Sequence, residues 1–449
     1  MITPSPELLV RLDRPGPRYT SYPTVPTWVD GFPEAEVTAA MRAIDRPIDV
    51  YVHIPFCREQ CWFCGCNQVV SSRQEAGDRY VAAVGVALAA LPLPAAVVDV
   101  ARIHFGGGTP TWLDVRQLDA LYDLLDARFR GIPGVERSVE IDPDVTSDAQ
   151  LDHLVQRGVT RISLGVQSTD PRVLAAVNRP QSTDRIRALT ARARDHGMRG
   201  LNVDLVYGLP HQDAVSFGAT IDEVIGLGPD RLAVYSYAHV PWLKKHQQRI
   251  DAAALPGPVD KLALFLLARE RLLDAGYVEV GMDHFARPDD ALAIAARDRA
   301  LHRNFMGYTT RADLPLVGVG VSAISELDGV YAQDQPHLGA WYRAVERGEG
   351  PRVVKGLRLT AEDRLRRDVI ASLMCNFRVV KAAIEARHGI RFDETFAEAL
   401  AALAPLVDDG LCAVTPDGIE VTPLGRLLVR NVAMAFDDRL GSARFSRTV

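Results

Sequence analysis

The run IDVYVHIPFCREQCWFCGCNQVV, Ile48 to Val70, joins a short apolar stretch to Cys57, Cys61, Cys64 and Cys66, four of the six cysteines in the chain. IDVYVHI reads as a β-strand, and Cys57 follows its end by three residues. Further short apolar runs come after it: VARIHFG, SVEIDP, TRISLGV, LNVDLVYG and RLAVYSYAH. Between them lie stretches with helical spacing, such as VRQLDALYDLLDARF and STDRIRALTARARDHG. Six strand-then-helix units in succession predict parallel strands with right-handed crossovers, in an open sheet or a partial barrel. In either arrangement the chemistry belongs at the C-terminal ends of the strands, where the cysteines fall.

From about Leu357 the pattern changes to helices, TAEDRLRRDVIASLMCNF and FAEALAALAPLVDDG, then a hairpin, LCAVTPDGIEVT, and a last helix, GRLLVRNVAMAF. This resembles a winged-helix module. Basic side chains are not concentrated there, so it reads as a packing module and not as a nucleic-acid binder. The expected organisation is an N-terminal extension over 1–48 covering the barrel mouth, a partial (β/α)6 barrel over 49–350 and a mainly helical module over 351–449. The aromatic entry segment with Tyr19, Tyr22 and Trp28 would cover the mouth or pack, and packing is the favoured reading.

Composition excludes several function classes. A chain of 449 residues that is 47% hydrophobic and 24% charged is an ordinary globular one, with a net charge of −6 that favours neither nucleic acid nor an anionic membrane. The start, MITPSPELLVRLDRPG, lacks the apolar core of an export signal. Tyr80 to Val98 is apolar but is broken by Pro92 and Pro94, which predicts a buried helix and a turn instead of a membrane span. Clustered cysteines point to a metal site in a reducing cytoplasm and not to a disulfide framework.

Three readings of the cluster compete. Structural zinc takes paired cysteines separated by a longer loop, and Cys64 and Cys66 are too close to the others for that. A disulfide relay needs only one pair, and Cys375 and Cys412, best read as buried apolar residues, are distant. Iron–sulfur clusters are held by thiolates at short spacing. The CxxxCxxC spacing of Cys57, Cys61 and Cys64 suggests three ligands for four irons, with one iron left open. GGGTPT, Gly106 to Thr111, follows the second strand and would let backbone approach a ligand. Glu140, Gln167 and Asp204 fall in the next three strands and put polar groups at one rim.

The CxxxCxxC pattern with Phe63 before its third cysteine resembles the radical S-adenosylmethionine superfamily. The resemblance implies a [4Fe–4S] cluster on Cys57, Cys61 and Cys64, whose open iron holds S-adenosylmethionine for cleavage to a 5′-deoxyadenosyl radical. Over nearly the whole chain, PRYTSYPT, YVHIPFC, CWFCGCN, GGGTPT, LGVQ, NVDLVYGLP, YAHVP, GMDHFARPDD, LHRNFMGYTT, GVSAIS and RRDVIASLMCNF resemble the oxygen-independent coproporphyrinogen III oxidase family. That resemblance implies oxidative decarboxylation of two propionates of coproporphyrinogen III to vinyl groups, giving protoporphyrinogen IX. It implies two S-adenosylmethionines, the first at Tyr51, Gly107, Glu140 and Ile324, the second at Phe63, Gly108, Thr109, Gln167, Arg179, Asp204 and Ala238. Cys66 matches a further family cysteine that does not hold iron and, with His53 in the strand before the cysteines, is a candidate catalytic group. His53 has the competing reading of a hydrogen-bonded core residue.

A substrate with four carboxylates needs cations, for which Arg287, His302 and Arg303 are candidates, their alternative being solvation or pairing with Asp283, Asp289 and Asp290. The chain departs from the family pattern after Gln167, where it reads STD, and at Met306, where glutamine is frequent. A reducing protein of flavodoxin or ferredoxin type and a monomeric, cytoplasmic enzyme complete the expectation. The alternatives are a haem-binding chaperone of the same lineage, which generally has phenylalanine at the place of Cys66 and lacks PRYTSYPT, and another haem-modifying enzyme on the same scaffold.

Overall fold

The computed structural model describes residues 4–312, 314–350, 352–442 and 445–448. All six strands expected from the apolar runs are present: β1 (Ile48–Ile54), β2 (Val98–Gly107), β3 (Phe129–Ile141), β4 (Arg161–Gln167), β5 (Gly200–Tyr207) and β6 (Arg231–Ser236). Each pairs in parallel with the next in chain order. The connections carry helices at Glu75–Ala89, Val115–Arg128, Asp148–Gln156, Thr183–Asp195 and Ala214–Leu227. Three of these begin with reciprocal capping: Asp114 with Gln117, Ser147 with Gln150 and Asp213 with Ser216. Each such box satisfies backbone N–H groups that the first helical turn leaves without partners.

Strand alternation divides the sheet into two chemically distinct faces. Val50, Val52, Ile54, Ile103, Phe105, Val139, Ile162, Leu164, Val203 and Leu205 are buried within one continuous apolar core. At roughly 1.5–3 kcal/mol per fully buried side chain, this face supplies much of the drive to fold. The intervening residues, among them Tyr51, His53, Arg102, His104, Glu136, Glu140, Ser163, Asn202 and Asp204, face the other way. They make the inner side of the curved sheet polar.

The sheet does not close. It has thirteen strands among the described residues, and the additions come from pieces that the apolar runs did not reveal. Beyond β1, Leu316–Val319 adds in parallel, followed by the antiparallel strands Ile324–Leu327, Val330–Asp334, Val353–Arg358 and finally Val29–Asp30. Beyond β6 come His284–Ala286 and Val278–Gly281, both antiparallel. The result is a partial barrel.

The C-terminal module contains the helix Ala361–Asn376, the helices Lys381–His388 and Ala397–Asp408, and a three-stranded sheet of Arg378–Val380, Gly418–Val421 and Cys412–Val414. The expected last helix is instead two short helices, Pro423–Leu427 and Val429–Ala433, interrupted at Leu428. The entry aromatics pack: Trp28 stacks on Tyr331 at 5.2 Å, and the hydroxyls of Tyr19 and Tyr22 donate to Asp437 and Asp438. Glu75–Ala89 is the expected buried helix, and no helix among the described residues is long and apolar enough to cross a membrane.

Candidate active site

At the C-terminal ends of β1 to β6 a cavity of about 720 Å³ opens. Its wall holds Cys57, Cys61, Cys64 and Cys66 with Phe63, then Gly107, Gly108, Thr109, Glu140, Gln167, Arg179 and Asp204. These residues span almost 150 positions of sequence. Parallel strands ending at a common rim bring them together.

Each of three sulfurs receives a hydrogen bond. Thr109 Oγ1 donates to Cys57 Sγ at 3.6 Å, Arg179 Nη1 to Cys61 Sγ at 3.4 Å, and the Cys66 N–H to Cys64 Sγ at 3.4 Å. Cys64 and Cys66 interact closely, and their mutual hydrogen bonding lowers Cys64 and raises Cys66. Burial pushes Cys57 up to about 12 and raises Cys61 against the pull of Arg179. Sulfurs that each accept a hydrogen bond suit three thiolate ligands once a cluster is bound. Among the described residues, no group of three or more His, Cys, Asp or Glu is gathered closely enough for a single metal ion. Four thiols lining one cavity suit a multi-iron cluster.

The glycines have separate reasons. At Gly107 φ is +114°, and a Cβ would lie 2.6 Å from the His53 ring; at Gly108 it would lie 2.7 Å from the carbonyl oxygens of Pro55 and Phe56. Backbone therefore passes the cysteine loop at a distance no side chain allows. The Gly107 N–H donates to Glu140 Oε2 at 3.2 Å, and His104 Nε2 lies 3.3 Å from Oε1. Burial works to raise Glu140, but His104 and Gly107 hold it below its ordinary value, so it is a carboxylate. Asp204 is pushed up to about 6 by burial, despite hydrogen bonds from Ser163 Oγ and Asn202 Nδ2, both at 2.8 Å. Gln167 ends β4 with φ +64°, a left-handed conformation uncommon outside glycine and often found at functional sites. Arg179 ties the rim together, bonding Asp142 at 3.0 Å and the Gly165 carbonyl besides Cys61.

Some expected residues stand elsewhere. His53 does not line the cavity. Its Nε2 lies 2.8 Å from the Asn67 carbonyl, which can only accept, so its Nδ1 accepts from the Tyr51 hydroxyl at 3.1 Å. Burial lowers its pKa, and this neutral ring clamps the end of the cysteine loop to β1, which corrects its placement as a catalytic group. Tyr51 lies behind the wall, stacked on His104, and Ile324 packs beside Trp28 and Tyr331. Ala238 lines a neighbouring cavity.

Of the three candidates for substrate carboxylates, one stands at the wrong end of the strands. Arg287 adjoins Ala286, which pairs with Arg231, the first residue of β6, so it lies at the opposite end of the strands, half-exposed beside Asp289. His302 and Arg303 line another cavity, together with Asp49 near the start of β1, and Arg303 donates to the Arg18 carbonyl. Sequence spacing could not give the end of the sheet at which an arginine would emerge.

Residues not singled out beforehand complete the site. Ser163 and Asn202 were legible as two-residue neighbours of Gly165 and Asp204 on the inner face. Gln247 was not: it sits in the short 3-10 helix Lys245–Arg249, yet it donates to the carbonyls of both Phe63 and Ala238 and so fixes the cysteine loop. His246 Nε2 likewise lies 2.7 Å from the Cys64 carbonyl. The STD departure has a local role: Asp170 caps the helix Pro171–Ala176, and Thr169 bonds Thr220.

A partial parallel barrel with three sulfur acceptors at its rim defines the radical S-adenosylmethionine class, and the model of the Radical SAM superfamily matches residues 51–224. The model named HemN C-terminal domain matches residues 359–428. The chain is 44% identical to the oxygen-independent coproporphyrinogen III oxidase of Escherichia coli (strain K12), with 98% of each chain covered. It is 40% identical to that of Synechocystis, over 97% of this chain and 95% of the relative. The solved structure of the Escherichia coli coproporphyrinogen III oxidase superposes with a TM-score of 0.90 at 44% identity, covering 94% of this chain and 98% of that one. The chain belongs to the oxygen-independent coproporphyrinogen III oxidase family.

Proposed function

We infer that this protein carries out the oxygen-independent oxidative decarboxylation of coproporphyrinogen III to protoporphyrinogen IX. The observation that carries this reading is the pairing of three hydrogen-bonded sulfur acceptors at the rim with close similarity to coproporphyrinogen oxidases over 98% of the chain. When bound, a [4Fe–4S] cluster and S-adenosylmethionine supply the 5′-deoxyadenosyl radical that abstracts hydrogen from a propionate.

The chain's own residues bind, orient and shield. Cys57, Cys61 and Cys64 would hold the cluster, with Thr109, Arg179 and the Cys66 N–H stabilising their thiolate forms. Glu140, the carboxylate beside Gly107, is placed to receive a ligand ammonium, and Gly107 and Gly108 leave room for it. Phe63, Gln167, Arg179 and Asp204 would take the second S-adenosylmethionine along the β4–β5 side of the same cavity. Cys66 would stand on the cavity wall beside the three ligands as the candidate catalytic thiol. His53 and Tyr51 act as positioning residues behind Gly107. Ile324 and Ala238 contribute from adjoining surfaces. A reducing protein of flavodoxin or ferredoxin type, a monomeric state and a cytoplasmic setting complete the proposal, with Cys66 on the exposed side of the cysteine loop.

The test is anaerobic incubation of the iron-loaded protein with coproporphyrinogen III, S-adenosylmethionine and a reductant. Protoporphyrinogen and 5′-deoxyadenosine are the expected products. Unchanged substrate with intact cluster absorbance would overturn the assignment and favour the haem-chaperone reading.

A further inference from the structure

On the inner face of the sheet, His53 and His104 spend both ring nitrogens on the protein, His53 between Asn67 and Tyr51 and His104 between Ser138 and Glu140. His284 spends one. Its Nδ1 lies 2.8 Å from Asp283 Oδ1, and its Nε2 has no hydrogen-bond partner among the described residues. Resting on the reaction proposed above, we propose that His284 Nε2 accepts a hydrogen bond from a pyrrole N–H of the porphyrinogen, with Asp283 as the positioning residue that fixes its tautomer.

The neighbours of the ring settle which nitrogen is left for a ligand. An ionised carboxylate only accepts, so Asp283 places the ring proton on Nδ1 and leaves the lone pair of the neutral imidazole on Nε2. Burial works to raise Asp283, but Arg18, 2.8 Å from its other oxygen, and His284 hold it well below its ordinary value. The plane of the ring is fixed as well, by edge-to-face contacts with Tyr235 at 5.6 Å and Tyr308 at 5.1 Å. So is the turn that delivers the pair. The Val234 N–H donates to the Asp283 carbonyl at 2.7 Å, and Met282 takes φ +36°, a conformation that costs a residue with a side chain and persists only where the surroundings enforce it.

Register places the ring beside the cysteine cavity. Asp204 pairs with Ala233 and Ala233 with His284, so the three stand in one row across the sheet. Strand alternation turns that row to the inner face, and Ala233 in its middle adds only a methyl group. Asp204 and Tyr235 line the cavity, and His284 adjoins Tyr235. With 17% of its side chain accessible, His284 is neither sealed in the core nor spread on the outer surface.

The chemistry of the substrate suits such an acceptor. In a porphyrinogen every nitrogen carries hydrogen, and saturated bridges let a pyrrole tilt its N–H outward. A flat porphyrin turns its N–H groups to the ring centre. The contact also tightens during the reaction. Transfer of a hydrogen atom from the propionate to the 5′-deoxyadenosyl radical leaves a carbon radical next to the pyrrole. When that radical passes one electron to a one-electron acceptor, positive charge spreads onto the pyrrole and its N–H becomes the stronger donor, until CO2 leaves and the vinyl group forms.

The experiment compares the reduced and the flat tetrapyrrole on iron-loaded enzyme. His284→Leu should raise KM for coproporphyrinogen III about tenfold and lower kcat about as much, with KM for S-adenosylmethionine unchanged. In fluorescence titrations its affinity for coproporphyrin III, which has the same carboxylates but no outward N–H, should equal that of wild type. His284→Gln, whose amide oxygen accepts, should recover most of the loss. Asp283→Asn, which lets the ring carry its proton on Nε2, should raise the coproporphyrinogen KM and again spare coproporphyrin III. Unchanged kinetics in His284→Leu overturn the proposal. So does equal weakening of porphyrin and porphyrinogen binding, the mark of a structural role, and so does His284→Gln as impaired as His284→Leu. A wild-type enzyme that neither binds nor converts coproporphyrinogen III overturns the reaction itself, a different result from any of these.

Discussion

The inner face of the barrel has two ends built from the same strands and equally polar, yet only one is a site. At the base, near the strand starts, Arg102 and Arg161 each lie 3.3 Å from Glu136, and Arg231 lies 2.9 Å from Asp290, which Arg161 also approaches at 3.8 Å. Burial works to raise Glu136, but Arg102 and Arg161 hold it below its ordinary value. Each of these carboxylates is held between two arginines. At the rim, Glu140, Asp204 and the thiols face a cavity, and their charge is balanced only in part by their neighbours. Buried polarity is therefore no mark of function by itself. What marks function is polarity that the protein leaves for something else to complete.

The contrast can be broken most decisively at the cysteines. Replacing Cys57, Cys61 or Cys64 by Ser should abolish the brown absorbance of anaerobically reconstituted protein and all turnover; unchanged iron content would contradict the ligand set. Cys66→Ser should keep iron and lose about 100-fold in turnover, and iron loss equal to that of the other three would remove the distinction between ligand and non-ligand sulfurs.

At the base, Glu136→Ala should cost about 3 kcal/mol of unfolding free energy in denaturant, because Arg102 and Arg161 would be left as buried like charges. The same change should not alter the cluster spectrum, and a spectral change would mean that the two ends are coupled. Back at the rim, Arg179→Gln should weaken iron retention about 10- to 100-fold in a chelator challenge, through loss of the hydrogen bond to Cys61. Retention equal to wild type would make Arg179 structural.

The smallest effect sharpens the comparison. A carboxyl whose folded pKa is raised binds its proton more tightly folded than unfolded. Asp204, at about 6 against an ordinary 3.8, therefore makes the protein lose stability as pH rises between those values. Asp204→Asn should flatten that stretch of the profile and raise Tm at pH 7 by about 1–2 °C, while S-adenosylmethionine binding weakens. A rim that gained nothing in stability from this change would be as self-satisfied as the base.

Much of the site was legible along the chain because its parts are local. The cysteine spacing, the three glycines and the polar residues in successive strands each occupy a few consecutive positions, and strand alternation points them to one face. Arg179 was reached only through resemblance, since its partner Cys61 is 118 residues away. Gln247 gave no signal, because a glutamine in a short 3-10 helix looks the same whether it faces solvent or a rim. Arg287 misled for the same reason: its neighbours in sequence suggested a carboxylate contact, while strand register put it at the wrong end.

Taken alone, the sequence determined the six strands, the change to a helical module after about residue 357 and the clustering of four thiols behind the first strand, because hydrophobic period and residue spacing are properties of adjacent residues. Tertiary structure decided the rest. Val29–Asp30 joins Val353–Arg358 in the same sheet, and Arg18 meets Lys261 and Arg430 across one cavity. Such meetings depend on where the chain's ends return after the barrel has formed, which spacing along the sequence does not encode.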